Sequence, residues 1–173
     1  LIGLGYHKKY GEAHAEVNAL NSVTETSKLK GAKVFVSLEP CAHEGKTPSC
    51  AKALAKLPIA EVHYALEDPN PLVAGKGLEI LRQAGIRVIH NQADNHRAEA
   101  LAEVFFTNMK QNRCFLALKV ATSLDGQMAL ENGQSQWITG EKARAAVQVL
   151  RGHYDAVMVG VDTFLTDNPR LDS

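Results

Sequence analysis

The stretch from residue 33 to residue 41 constrains the fold of this chain more than any other feature. Its run of β-branched and aromatic residues, KVFVSL, is typical of a short buried strand, and Pro40 stops that strand. Cys41 follows at once and so lies at the carboxyl end of the strand, where α/β active sites gather. The sequence therefore predicts an α/β fold with its chemistry at the end of this strand.

A helix is predicted to begin a few residues later and to bring a second thiol to the same place. Thr47 is a suitable N-cap and Pro48 suits the first helical position, so the helix runs from there to about residue 57. Cys50 falls in the first turn of this helix. Because a helix N-terminus stabilises negative charge, we expect the pKa of the Cys50 thiol to be lowered.

Two upstream residues complete a pattern that predicts a catalytic zinc site. His14, Cys41 and Cys50 provide one imidazole and two thiolates, which leaves the fourth tetrahedral position open for a water. Glu16 stands beside a ligand and can move the protons of that water, so the predicted reaction is hydrolytic deamination of an aminopyrimidine. H-x-E followed by P-C-x-x-C is the signature of zinc deaminases, and this chain has eight residues between its cysteines instead of two.

Three other interpretations of the site stay open at this point. A structural zinc site needs a fourth protein ligand, which His43 could supply. A non-enzymatic, zinc-stabilised interaction module is disfavoured by Glu16 and by the open ligand position. A tRNA or polynucleotide base deaminase shares the chemistry, but a basic surface and the tight C-x-x-C spacing are expected of it. The chain has 19 Lys and Arg against 19 Asp and Glu, and this balance disfavours nucleic-acid binding.

The composition indicates the compartment of this protein, its partners and the state of its cysteines. No apolar run approaches the ~18 to 20 residues of a membrane span and no signal segment opens the chain. A cytoplasmic protein with a small-molecule substrate is therefore predicted, without a nucleic-acid or membrane partner, and homo-oligomer formation stays open. Three cysteines fit a reduced metal site better than a disulfide framework, and Cys114 is expected to be a buried small hydrophobe.

The remaining patterns alternate strands with helices and divide the chain into two domains. Residues 1–112 are predicted to form a zinc-dependent deaminase domain, and residues 113–173 the beginning of a second α/β domain. Both ends look cut, because residues 1–7 read as the second arm of a hairpin and residues 167–171 form a turn. Predicted helices begin near residue 12 and cover residues 76–84, 95–111 and 141–150; predicted strands cover residues 62–66, 86–89, 115–120 and 156–160.

Several short motifs are spread along the whole chain. They are G-Y-H at residues 5–7, H-A-E at 14–16, L-E-P-C to T-P-S-C at 38–50, E-D-P-N-P at 67–71, G-K-G at 75–77, K-V-A-T-S-L-D-G at 119–126, S-Q-W-I-T-G at 135–140 and D-N-P at 167–169. Together they closely resemble the RibD family of bifunctional riboflavin biosynthesis proteins. The resemblance implies a cytidine-deaminase-like three-layer α/β/α domain, followed by the start of a dihydrofolate-reductase-like α/β domain.

The resemblance also implies an activity, cofactors and site residues. The first domain would remove the 2-amino group of a phosphoribosylated diaminopyrimidinone with Zn2+, and the second would reduce the ribose to ribitol with NADPH. His14, Cys41 and Cys50 would hold zinc, and Glu16 would shuttle protons. The substrate would be bound by His7, His43, Lys46, Asp68, Asn70, Lys119, Ser135, Arg151 and Leu171, and NADPH by Ala121, Trp137, Thr163 and Asp167.

Simpler structural roles compete with some of these assignments. Asp68 and Asn70 belong to a sequence that is typical of an ordinary turn, and Lys46 suits a solvated loop. Trp137 could equally be a core residue.

Overall fold

Three parallel strands, β1 (Lys33–Leu38), β2 (Glu61–Leu66) and β3 (Arg87–His90), form the centre of the first part of the chain. In the computed structural model, which describes residues 1–44, 48–71 and 73–172, they lie in the order β1-β2-β3. Val62 of β2 is in register with Val34 of β1 and Val88 of β3. All three strands lie within one residue of their predicted ends.

Helices cover both faces of this sheet. On one face, α2 (Cys50–Ala55) and α3 (Lys76–Gln83) pack against β2, and Leu54, Val62 and Leu81 form a core that is at most 1% exposed. Ala65 points to the opposite face, since side chains alternate along a strand, and packs there against Ala98 of α4 (Asn95–Leu101). The predicted α/β class with three layers is confirmed.

The first seven residues run along α1 (Ala15–Asn21). The backbone N–H of Leu4 donates to the Oγ atom of Ser22 over 2.9 Å, and the Nδ2 atom of Asn18 donates to the carbonyl of Tyr6 over 2.8 Å. A Cβ atom on Gly5 would collide with the backbone of α1, so glycine is required for this approach. These residues form no strand here and take hydrogen-bond partners from α1 and its C-cap, and the hairpin, whose first arm the sequence does not include, stays a prediction.

The helix predicted over residues 95–111 consists of two helices, α4 and α5 (Glu103–Gln111). They are separated at Ala102, whose φ of −113° and ψ of 16° depart from the helical region. Ala98 is buried and Phe106 packs on the same cluster, whereas Leu101 is 82% exposed. The apolar spacing predicted helix correctly, but alanine favours a continuous helix and therefore gave no sign of the break.

The contacts of the chain divide it into two compact units, Leu1–Leu116 and Ala117–Ser173. The second contains α6 (Glu141–Arg151) and α7 (Val161–Asp167), together with the predicted turn in which the N–H of Gly126 donates to Ser123 over 3.0 Å. The strands predicted at 115–120 and 156–160 are absent from the described residues. A strand needs a neighbour for its backbone hydrogen bonds, and neither segment has one there.

The expected burial of Cys114 is also wrong, because this residue is exposed. It directly precedes the segment 115–120, which forms no strand among the described residues. Within the described part of the chain, no helix combines the length and the apolar character that crossing a membrane requires.

Candidate active site

Three metal-binding side chains meet beyond the carboxyl end of β1. The Nδ1 atom of His14 lies 3.6 Å from the Sγ atom of Cys41 and 3.4 Å from that of Cys50, and all three atoms lie within 4.8 Å of one another. Zinc bonds of ~2.0 to 2.3 Å at tetrahedral angles place ligand atoms ~3.6 Å apart. The donor atoms are therefore spaced as zinc requires. Among the described residues, His43 is not part of this group.

The ligands are placed by the ends of helices and strands. His14 is the N-cap residue of α1, Cys41 lies three residues beyond β1, and Cys50 is the fully buried first residue of α2. The helix predicted from about residue 12 begins only at residue 15, because His14 has an extended backbone with a ψ of 167° and is therefore the N-cap. Glu16 still falls in the first turn, as predicted.

Ser49 joins the two segments that carry the thiols. Its Oγ atom donates to the carbonyl of Cys41 over 2.8 Å and accepts from the N–H of Lys52 over 3.3 Å, so Ser49 is the N-cap of α2. The predicted cap was Thr47, which lies outside the described residues. The N–H of Ala51 also donates to the carbonyl of Cys41, over 3.1 Å. The two ligand segments are therefore bonded to each other through the backbone.

The two thiols share one negative charge unequally. The pKa of the Cys41 thiol is lowered to about 5, mainly because the Cys50 side chain and backbone N–H donate hydrogen bonds to it. The N–H of Cys50 lies 3.3 Å from the Cys41 sulfur. The pKa of the Cys50 thiol is raised instead, because the thiol donates a hydrogen bond to Cys41, because it is buried, and because a thiolate there would stand beside Glu16 and Cys41. The expectation that the helix N-terminus lowers the Cys50 pKa is therefore wrong, since that N–H stabilises Cys41.

Glu16 is a carboxylate held beside the ligands. Burial raises its pKa above the usual range, and the negative charge of Cys41 adds to this rise. A backbone hydrogen bond and the charge of His14 act in the opposite direction. Two thiolates beside a carboxylate would repel one another, and a bound divalent cation would offset that repulsion. The donor set, its spacing and its charge all fit Zn2+.

His7 lies beside the first metal ligand. Its ring meets the ring of His14 edge to face with centroids 5.3 Å apart, and its Nδ1 atom is 3.2 Å from the carbonyl of Ala13. Asn18 ties this arrangement together, because its Nδ2 atom donates to the carbonyls of Tyr6 and Ala13 over 2.8 and 3.0 Å. Of the predicted substrate-binding residues, His7 is thus held against the metal-binding group.

The other predicted substrate residues of the first unit lie on two loops. His43 is exposed on the loop that follows Cys41, and Lys46 lies outside the described residues. Asp68 and Asn70 follow β2, and the Oδ1 atom of Asp68 accepts from the N–H of Asn70 over 2.8 Å. This bond is typical of an Asx turn, so the turn interpretation holds for the backbone. The roles of these residues in binding stay predictions.

The predicted reductase residues all lie in the second unit, in which no described residue is buried. Trp137 is 69% exposed, with the Arg144 guanidinium 4.5 Å from its ring centroid, so it is not a core residue. Arg151 donates to the carbonyl of Arg170 over 2.9 Å. Ala121, Ser135 and Arg151 are partly buried, and Lys119, Trp137, Thr163, Asp167 and Leu171 are exposed. Their functional roles stay predictions.

Sequence reasoning missed three residues that build the site. Ser49 directly precedes α2 and is of the residue type preferred at an N-cap, so it could have been found. Glu39 is only 3% exposed although it is an acid, and its place inside the motif at the end of β1 is the one sequence signal that marks it. Nothing in the sequence points to Asn18, because its bonds depend on how the first residues lie along α1.

Two family models match the chain. The cytidine and deoxycytidylate deaminase zinc-binding region matches residues 1–66, which include all three ligands and Glu16. The RibD C-terminal domain matches residues 114–173.

Curated relatives and solved structures extend the match to the whole chain. The riboflavin biosynthesis proteins RibD of Actinobacillus pleuropneumoniae and Escherichia coli are 46% and 45% identical over 100% and 99% of this chain, which covers 45% and 46% of theirs. The structure of Acinetobacter baumannii RibD, form 1, has a TM-score of 0.86 and 46% identity over 98% of this chain and 47% of its own. The structure of a diaminohydroxyphosphoribosylaminopyrimidine deaminase/5-amino-6-(5-phosphoribosylamino)uracil reductase from Thermotoga maritima has a TM-score of 0.87 and 41% identity over 99% of this chain and 48% of its own. The chain thus spans about half the length of the curated relatives that it matches.

Proposed function

Because the chain belongs to the RibD family, we propose that it is part of a bifunctional riboflavin biosynthesis enzyme, a zinc hydrolase and an NADPH-dependent oxidoreductase. Residues 1–112 act as the deaminase and residues 113–173 begin the reductase. The substrate is a phosphoribosylated diaminopyrimidine, of the kind after which the Thermotoga maritima deaminase is named. The observation that carries the deaminase proposal is the convergence of His14, Cys41 and Cys50 beside Glu16.

In the proposed reaction, His14, Cys41 and Cys50 hold Zn2+, which supplies the Lewis acidity that makes water nucleophilic near neutral pH. The Glu16 carboxylate takes a proton from the attacking water. It passes this proton to the ring nitrogen, then takes the proton of the hydroxyl group formed on the ring carbon and passes that proton to the departing amine, so that ammonia leaves and a ring carbonyl forms. Burial keeps the pKa of Glu16 above that of an ordinary glutamate, and this suits a group that both accepts and donates protons.

His7, His43, Lys46, Asp68 and Asn70 are proposed to bind this substrate. His7 is supported best, because its ring contacts that of His14 and its position is held by Asn18. A lysine at position 46 would pair with a phosphate or a ring carbonyl.

For the reductase, NADPH is proposed from family membership and from the match to the RibD C-terminal domain. Ala121, Trp137, Thr163 and Asp167 are the proposed cofactor residues, and Lys119, Ser135, Arg151 and Leu171 the proposed substrate residues.

The test uses the natural protein that contains this chain, incubated with the diaminopyrimidinone ribotide. Ammonia release should precede NADPH oxidation, and Glu16→Gln should abolish ammonia release while the zinc content stays at one ion per site. Glu12→Gln is the matched control, since Glu12 is exposed on the loop before α1 and should leave the rate unchanged.

Two results would contradict the proposal. One is substantial ammonia release by Glu16→Gln, which would remove the proton carrier from the mechanism. The other is release of ammonia from a polynucleotide and none from the ribotide, which would favour a nucleic-acid base deaminase.

A further inference from the structure

A buried carboxylate lies between the end of β1 and the first cysteine ligand. Glu39 is 3% exposed, and its backbone N–H donates to the carbonyl of Leu66 at the end of β2 over 2.8 Å. The carboxyl ends of the two strands are thereby bonded to each other. The side chain of Glu39 leaves this junction towards the loop that follows β2.

The Glu39 carboxylate accepts hydrogen bonds from three backbone N–H groups of that loop. Its Oε2 atom lies 2.9 Å from the N atom of Gly75 and 3.4 Å from that of Asp68, and its Oε1 atom lies 3.0 Å from the N atom of Gly77. One side chain thus fixes the loop at its beginning and at its end. Hydrogen bonds to an ionised acceptor are stronger than neutral ones, and the N-terminus of α3 favours the negative charge.

The start of α3 lies so close to the segment before Cys41 that no side-chain atom fits between them. A Cβ atom on Gly77 would collide with the carbonyl oxygen of Pro40, the residue before the ligand. Gly75 has a φ of 75°, which a residue with a side chain rarely adopts. The two glycines therefore let the start of α3 lie directly against the strand end that carries the thiol.

The loop held in this way contains Asp68 and Asn70, two of the residues proposed to bind the substrate. We propose that Glu39 is a positioning residue for substrate binding: it holds Asp68 and the start of α3 in register with the Cys41 segment, so that the substrate contacts and the metal ligands keep one geometry. This inference rests on the proposed deaminase function. Glu39 acts through the loop and not on the reacting atoms.

The test is Glu39→Gln in the natural protein. Glutamine keeps the shape but has one acceptor oxygen, and its NH2 group would face at least one backbone N–H, so part of the loop loses its anchor. We expect KM for the ribotide to rise about tenfold, kcat to change less than about threefold, and the zinc content to stay unchanged. In the inactive Glu16→Gln background, adding Glu39→Gln should raise the Kd of the ribotide about tenfold in calorimetry.

Glu61→Gln is the matched control, because Glu61 is an equally buried glutamate, 4% exposed, at the opposite end of β2. It should lower the thermal midpoint without moving KM. Should Glu39→Gln fail to fold, Gly77→Ala tests the same junction from the other side and should also raise KM.

The outcomes separate this inference from the proposed function. An unchanged KM and Kd in the variant, or a loss of zinc from it, would overturn the positioning role while ammonia release by the unmodified protein still stands. Absence of ammonia release from the unmodified protein, or full activity of Glu16→Gln, would instead refute the deaminase proposal itself.

Discussion

Replacing Ser49 by alanine tests how the two thiol-bearing segments are held together. The variant loses the N-cap of α2, which costs ~1 kcal/mol, and the bond from Oγ to the carbonyl of Cys41, which costs about another 1 kcal/mol. The carbonyl of Cys41 keeps the N–H of Ala51 as its partner, so no acceptor is left without a bond and the sum stays at ~2 kcal/mol. If half of this ~2 kcal/mol stabilises the arrangement of the ligands that binds zinc, its loss lowers the apparent zinc affinity about fivefold.

Hydrogen exchange and zinc competition measure the two consequences separately. A local loss of ~2 kcal/mol speeds the exchange of amides in α2, such as that of Ala53, about 30-fold. Titration with a chromophoric chelator reports the loss of zinc affinity. Ser27→Ala is the control, since Ser27 is exposed and far from the cysteines in sequence, and it should change neither quantity. Exchange within threefold of the unmodified protein, with unchanged zinc affinity, would refute the capping argument.

Two further substitutions test other parts of the first unit. Gly5→Ala places a Cβ atom against the backbone of α1, so it should displace the first residues, lower the thermal midpoint and raise KM for the ribotide. Gly140→Ala is the control, because a Cβ atom there has no neighbour within 4 Å, and it should change neither the thermal midpoint nor KM. Equal effects of the two substitutions would contradict the packing argument. Hydrogen bonds from His63, Arg87 and Lys33 lower the pKa of Glu61 to about 2 from the usual 4.5. This stabilisation is present above pH 4.5 and is lost as the pH falls towards 2, so urea unfolding of Glu61→Gln should depend less on pH in that range, and an identical pH dependence would contradict it.

The first unit was predictable because local and tertiary signals agree there. The run at β1 is apolar, β-branched and stopped by Pro40, and its predicted ends are those observed. The spacing of His14, Glu16, Cys41 and Cys50 reflects a chemical requirement, and it identified four side chains that the structure brings together.

The errors arose where a partner distant in sequence decides the outcome. The pKa of Cys50 is raised mainly by its hydrogen bond to the Cys41 sulfur and by burial, and the sequence shows neither which group its thiol contacts nor how deeply it is buried. The segment 115–120 has strand composition, but composition cannot supply the neighbouring strand that it needs. Glu39 acts through three backbone N–H groups up to 38 residues away, and no side-chain pattern records backbone donors.

The count of protein ligands on the metal is the central claim, since a closed four-ligand site would be structural and an open one is catalytic. Zinc-edge X-ray absorption on the natural protein and on its His43→Ala variant tests it most directly. Two sulfur ligands and one imidazole are expected in both proteins, with identical spectra, because His43 does not join the metal-binding group of the described residues. A fourth protein ligand, or a spectrum that changes when His43 is replaced, would contradict the catalytic assignment.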